Sequence, residues 1–172
     1  VRASLHLLHG EFDGVQTNTF LGRKVGGYDR SGARAKLEIA PNDDLSVVII
    51  GDYMEARDTG TRGPWVNAST NVRNSIAPNQ PGPESRRVAT DVLERVEDEN
   101  SGLSAQIDWT TAIGTLTSIT AVRKWENTQF QDIDGTAVVY SQIAQLGDKG
   151  IVDYDQFSQE FRLASPTGKF FE

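Results

Sequence analysis

The side chains with the greatest chemical potential in this sequence are few and scattered. His6 and His9 lie three residues apart. On an extended strand that spacing sends them to opposite faces, so they do not form a two-histidine metal site. The run Asp132-Ile133-Asp134-Gly135 has the opening of a calcium loop, but the later ligands and the terminal Glu are missing, which leaves a polar loop. Glu97, Asp98 and Glu99 are a charge run of the solvated kind. Cysteine is absent, so there is no thiolate nucleophile, disulfide or thiolate metal site. No serine stands in a Gly-x-Ser-x-Gly elbow. The Gly-rich residues 22–32 lack the Gly-Lys-Ser/Thr of a phosphate loop and have no helix after them. No catalytic, cofactor-binding or metal-ligating set emerges, and the chain reads as non-enzymatic.

The informative charges are those that alternate with apolar residues. Arg34, Lys36 and Glu38 interleave with Ala33, Ala35, Leu37 and Ile39. Asp108 sits among Leu103, Ala105, Ile107 and Trp109, while Glu160 and Arg162 interleave with Phe157, Phe161 and Leu163. Period-two alternation places the two sets on opposite faces of a β-strand. Weaker alternation at Ala3, Leu5 and Leu7, a long strand over residues 45–58, and the run at residues 116–127 bring the count to about six strands. Between residues 59 and 99 the pattern disappears amid Pro64, Pro78, Pro81 and Pro83. Within that stretch, Val88, Val92, Leu93 and Val96 have the spacing of a short helix over residues 86–99.

The connections sort by length. Short turns are expected at residues 41–44, 114–115 and 166–168, and long loops at about 14–32, 59–100 and 128–153. Because short and long alternate, all short turns fall at one end of an antiparallel up-and-down meander and all long loops at the other. Transmembrane β-barrels have that asymmetry. The 172 residues carry a net charge of −7, which argues against nucleic acid as a partner. A mean hydropathy of −0.43 is low for a chain of this length that closes its own core. No apolar run is long enough for a transmembrane helix, a test to which half-apolar barrel strands are invisible. The chain opens and closes in mid-pattern, with no signal peptide, so it is expected to be part of something longer.

The strand and turn segments also resemble a family. GGYDRSGARAKL (residues 26–37), PNDDLS (41–46), LTSITAVRKW (116–125) and QFSQEFRLASP (156–166) are similar to the barrel of TonB-dependent outer-membrane receptors. The resemblance implies an all-β fold, with residues 1–172 a partial segment of a large transmembrane β-barrel. It implies energy-dependent uptake of a scarce solute (an iron chelate, cobalamin or glycan) at the cell outer membrane. Its implied partners are outer-membrane lipid, an N-terminal plug and a TonB-type energy-coupling protein, the last two through the parent chain. Two alternatives stand beside it: a soluble β-rich binding or adhesion module, and a passive porin-like channel.

In a barrel, charged strand residues face the lumen, because Arg or Lys on the lipid face costs about 2–4 kcal/mol at the midplane. Arg34, Glu160 and Arg162 are therefore candidate ligand contacts, together with Trp65 in the long loop. Trp109 and Trp125 are expected in the two interfacial girdles; in a soluble sheet the same residues are core. Arg123 shares the parity of Ile119 and Ala121. Either it snorkels from the interface or those two residues do not face lipid.

Overall fold

The computed structural model describes residues 1–60, 62–137 and 147–165. Three short strands, β2 (Gln16–Asn18), β3 (Arg23–Val25) and β6 (Arg87–Val88), accompany six long ones. The long strands are β1 (Arg2–Phe12), β4 (Tyr28–Ile39), β5 (Leu45–Thr59), β7 (Arg95–Thr111), β8 (Gly114–Asp132) and β9 (Gly147–Ala164). They form one sheet in the order β1-β4-β5-β7-β8-β9, every neighbouring pair antiparallel. The sheet is open, with β1 and β9 at its edges. This is the expected antiparallel meander, and it is not closed into a barrel.

The connections at one end are residues 40–44 and 112–113. Those at the other end are residues 13–27, 60–94 and 133–146. The hairpin turn thus lies at Ala112-Ile113, just before the expected Gly114-Thr115; Thr111 pairs with Gly114 across it. Gly114 opens β8 with φ 140°, a backbone conformation that a residue without Cβ adopts freely. The short turn expected at residues 166–168 lies outside the described residues.

The long connections are shorter than the sequence suggests, because the strands run on into them. Two of them also carry structure. The short strands form a small sheet in the order β3-β2-β6, accompanied by helix α1 (Thr70–Ser75). The helix expected over residues 86–99 is therefore corrected. Val88 belongs to β6 and Val96 to β7, and the turn between them has no helical face. The two valines sit in different packing environments, and their spacing is coincidental.

Burial is concentrated in this small cap. Val25, Ile76, Val88 and Ala89 are buried there, together with Asn18, Asn79, Thr90, Glu94 and Asp132. Asn18 ties the cap together: its Nδ2 donates to the carbonyl and hydroxyl oxygens of Thr90 at 3.0 and 2.8 Å, and its Oδ1 accepts from the amides of Phe20 and Leu21. Buried polar groups satisfied this fully specify a unique loop arrangement. In the large sheet, by contrast, Ala56 is the only buried hydrophobic residue among the described residues. Leu5, Leu103, Phe157 and Phe161 expose between 54% and 70% of their surface.

Candidate functional site on the polar face of the sheet

The register sorts the six strands into two chemically distinct faces, since directly paired residues share a face. One face carries the row Leu45, Trp109, Leu116 and Leu163. Above it lies Ile39, Val47, Ile107, Ser118 and Phe161, then Ala3, Leu37, Ile49, Ala105, Thr120 and Gln159. Next comes Leu5, Ala35, Gly51, Leu103, Val122 and Phe157. Tyr53, Lys124 and Asp155 bound this band, and the following row turns acidic with Glu55, Glu99, Glu126 and Asp153. Three polar residues interrupt the apolar band and satisfy one another: Thr120 Oγ1 donates to Gln159 Oε1 at 2.6 Å, and Gln159 Nε2 donates to Ser118 Oγ at 3.1 Å.

The opposite face is mainly polar, with Val48, Ile50 and Ile119 set among charged and amide side chains. It holds all six of the charged strand residues singled out above: Arg34, Lys36, Glu38, Asp108, Glu160 and Arg162. Most are engaged. Glu38 meets Arg2 at 3.7 Å and Lys36 at 3.5 Å. Glu160 pairs with Arg162. Asp108 accepts from Thr117 Oγ1 at 2.6 Å and Gln106 Nε2 at 2.8 Å. His6 lies on this face and His9 on the other, as their spacing requires; His9 Nδ1 is 3.0 Å from Ser31 Oγ.

Arg123 also lies here, in the row His6, Arg34, Asp52, Gly102, Arg123 and Gln156. Ile119 and Ala121 are thus on the polar face, and the apolar side chains that β8 contributes to the apolar band are Leu116 and Val122. The guanidinium reaches over β7 to Asp52, with Nη2 3.0 Å from both carboxylate oxygens. Gly102 makes this reach possible, since a Cβ there would sit 2.8 Å from Arg123 Nη2. A Gly102→Val substitution is expected to separate Arg123 from Asp52 without unfolding the sheet. An Asp52/Arg123 double-mutant cycle, run once in the parent protein and once in the G102V background, measures the effect. The coupling should fall toward zero in the second cycle.

Trp125 requires a second correction. It stands in the polar-face row Gly32, Met54, Asn100, Trp125 and Tyr154, opposite in face to Trp109. Residues 109 and 125 are both odd, but pairing across the Ala112-Ile113 turn joins odd positions of β7 to even positions of β8. The two tryptophans therefore cannot belong to girdles on one face. Trp125 Nε1 instead donates to Asp98 Oδ1 at 2.9 Å, which also accepts from Asn127 Nδ2 at 2.9 Å. On the apolar face the aromatic boundary residues are Trp109 at one end of the band and Tyr53 at the other.

The four candidate contacts are not gathered in one place. Arg34 is on β4, and Glu160 and Arg162 are on β9. Four interstrand spacings separate them, about 19 Å at 4.8 Å each. Trp65 lies in the cap, where its Nε1 donates to the Gly135 carbonyl at 3.1 Å. Its neighbour Arg62 donates from the backbone amide to Glu94 Oε2 at 2.8 Å and from Nη2 to the carbonyls of Asp132 and Ile133. Together they tie the 60–94 connection to the end of β8.

Asp132 and Asp134 form turns of their own. Asp132 Oδ1 accepts from the Gly135 amide, and Asp134 Oδ1 accepts from the Thr136 amide and hydroxyl. Among the described residues, no three His, Cys, Asp or Glu side chains form a metal-binding group. Burial pushes Asp132 up to about 6, partly opposed by the Gly135 amide and reinforced by Asp134 and Asp91. An acid with a raised folded-state value binds its proton more tightly when folded. Its stabilising contribution is therefore present at low pH and is lost as pH rises from about 4 through about 6. Hydrogen exchange at the Gly135 amide, corrected for intrinsic rate, should slow several-fold from pH 8 to pH 5. Asp132→Asn should remove that dependence and hold exchange at its slow limit.

No family model, curated protein or solved structure matches this chain.

Proposed function

We propose that this chain is a segment of the wall of an outer-membrane receptor that takes up a scarce solute with energy supplied from the inner membrane. The observation that carries the reading is a sheet with one uncovered apolar face and one uncovered polar face. Monomeric soluble proteins rarely expose apolar patches of more than a few hundred Å². Here four apolar rows and their Tyr53 boundary span positions 45–53 of β5, nine residues. At 3.3 Å per residue the eight rises between them cover about 26 Å along the strand, and a tilted membrane-spanning strand needs about 9–11 residues.

Further support comes from the absence of charge within the apolar band and the sorting of short and long connections to opposite ends. In this reading the apolar face meets outer-membrane lipid, and the short turns lie on the periplasmic side. The polar face looks into the lumen, and the cap stands outside the cell. The plug and the energy-coupling protein act through the remainder of the polypeptide. The segment has no enzymatic role, and the solute meets the polar face.

The test is localisation of the intact protein followed by uptake. Recovery in the outer-membrane fraction, with uptake abolished by a protonophore, is the expected result. Uptake that survives the protonophore makes the protein a passive channel. A monodisperse soluble monomer obtained without detergent makes it a binding module and overturns the reading.

A further inference from the structure

We infer that Trp125 and Tyr154 form a stacking platform for a ring of a neutral, hydroxyl-rich solute, a saccharide. The inference takes its setting from the receptor reading and adds a substrate class to it. The two residues are direct cross-strand partners on the polar face. Paired positions of this kind hold their Cβ atoms about 5 Å apart. Trp125 is 36% exposed and Tyr154 50%. The indole is held by its edge, through Nε1 on Asp98 Oδ1, and Asp98 is itself steadied by Asn127, which accepts from Gln129 Nε2 at 2.8 Å. A ring fixed by a chain of hydrogen bonds is a preorganised surface.

Free amides flank the platform. Asn100 is the β7 partner of Trp125, and Gln156 lies two residues from Tyr154 on the same face. Neither makes a side-chain hydrogen bond among the described residues. Each offers both donors and an acceptor, the combination a sugar hydroxyl requires. A hollow of about 100 Å³ beside Gln156, whose lining includes Asp52, Gly102, Arg123 and Ser158, leaves room for a ring substituent.

The charge of this region selects against an anionic ligand. The polar-face rows from Asp52 to Asp58 hold three guanidiniums, Arg30, Arg34 and Arg123, and three carboxylates, Asp52, Asp58 and Asp98. Arg30 is closed onto Asp58 by two hydrogen bonds of 2.6 and 3.1 Å, and Arg123 onto Asp52. A balanced surface gives an anionic chelate no net attraction. Aromatic faces with a few convergent polar groups suit a ring that has an apolar C–H face and a polar rim.

The experiment is calorimetric titration of the intact protein in detergent with malto-, cello- and xylo-oligosaccharides, and with ferric citrate as the anionic probe. At least one neutral oligosaccharide should bind with a Kd below about 10 mM, and ferric citrate should not compete. Trp125→Ala and Tyr154→Ala should each weaken that binding about tenfold, and Trp125→Phe less, since it keeps a stacking ring. Folding of each variant is checked by the heat-modifiable mobility of the parent. A membrane-inserted protein that binds none of the sugars, or whose Trp125→Ala and Tyr154→Ala variants bind them unchanged, overturns this inference and leaves the receptor reading standing. Sugar binding by a protein that proves soluble overturns the receptor reading alone.

Discussion

Ala105→Arg will destabilise the protein folded into lipid vesicles by about 2–4 kcal/mol, whereas Ser104→Arg, one residue away on the same strand, will leave its stability nearly unchanged. Ala105 lies in the third of the four apolar rows, between Ile49 and Thr120. Ser104 points to the polar face, between Ile50 and Ala121. If the apolar face meets hydrocarbon, an arginine near mid-depth costs about 2–4 kcal/mol, while one in a water-filled lumen costs little. Stability of marginal proteins is only about 5–15 kcal/mol, so a loss of this size is visible as a shift in the urea midpoint of reversible folding into vesicles. Equal effects at the two positions would place both in the same medium.

Gly14→Val is expected to detach the cap from the sheet. Gly14 is buried where the chain leaves β1, with φ 88°. A Cβ there would lie 2.2 Å from the carbonyl oxygen of Val25 and 2.7 Å from the amide of Gly27, both backbone atoms with no freedom to retreat. The left-handed conformation alone costs a β-branched residue about 1–3 kcal/mol, and the clash adds to that. The backbone bridge between Gly26 and Thr59, with its reciprocal bond from Thr59 to Gly27, would open. Hydrogen exchange should accelerate by orders of magnitude at the amides of Thr17 and Thr19, which bond to Arg86 and Val88, while the mid-sheet amides of β5 and β7 stay protected. Loss of protection throughout would mean that the cap and the sheet fold as one unit.

The large sheet was legible in the sequence because its strands alternate, and one face had to be separated from the other by charge. The segregation of Arg34, Lys36, Glu38, Asp108, Glu160 and Arg162 followed from parity within each strand. Parity between strands was harder. Residues 116–122 carry apolar side chains at both parities, so the face of β8 could be fixed only from its partners: Leu116 opposite Trp109, Val122 opposite Leu103. Trp125, opposite Asn100 and Tyr154, is on the polar face for the same reason, and parity counted across the hairpin is the signal that shows it.

The cap was not legible, and the reason is sequence distance. Asn18 reaches Thr90 across 72 residues, and Arg62 reaches Asp132 across 70. No local periodicity records such contacts, and polar residues in loops are ordinarily solvated. Helix α1 shows the same difficulty from the other side: TNVRNS has no apolar face and buries none of its residues. The helical spacing around Val88 was the stronger pattern and the wrong one.

One face of the sheet is held to meet lipid and the other water, and β7, which has no cysteine of its own, can report this directly once any cysteine elsewhere in the intact protein is replaced by serine. Single cysteines placed at each position from 103 to 108 of β7, spin-labelled in the intact protein reconstituted into vesicles, report collision with oxygen, which concentrates in lipid, and with a water-soluble nickel chelate. Oxygen accessibility should peak at 103, 105 and 107 and nickel accessibility at 104, 106 and 108, with period two throughout. Nickel accessibility at every position would put both faces in water and contradict the account.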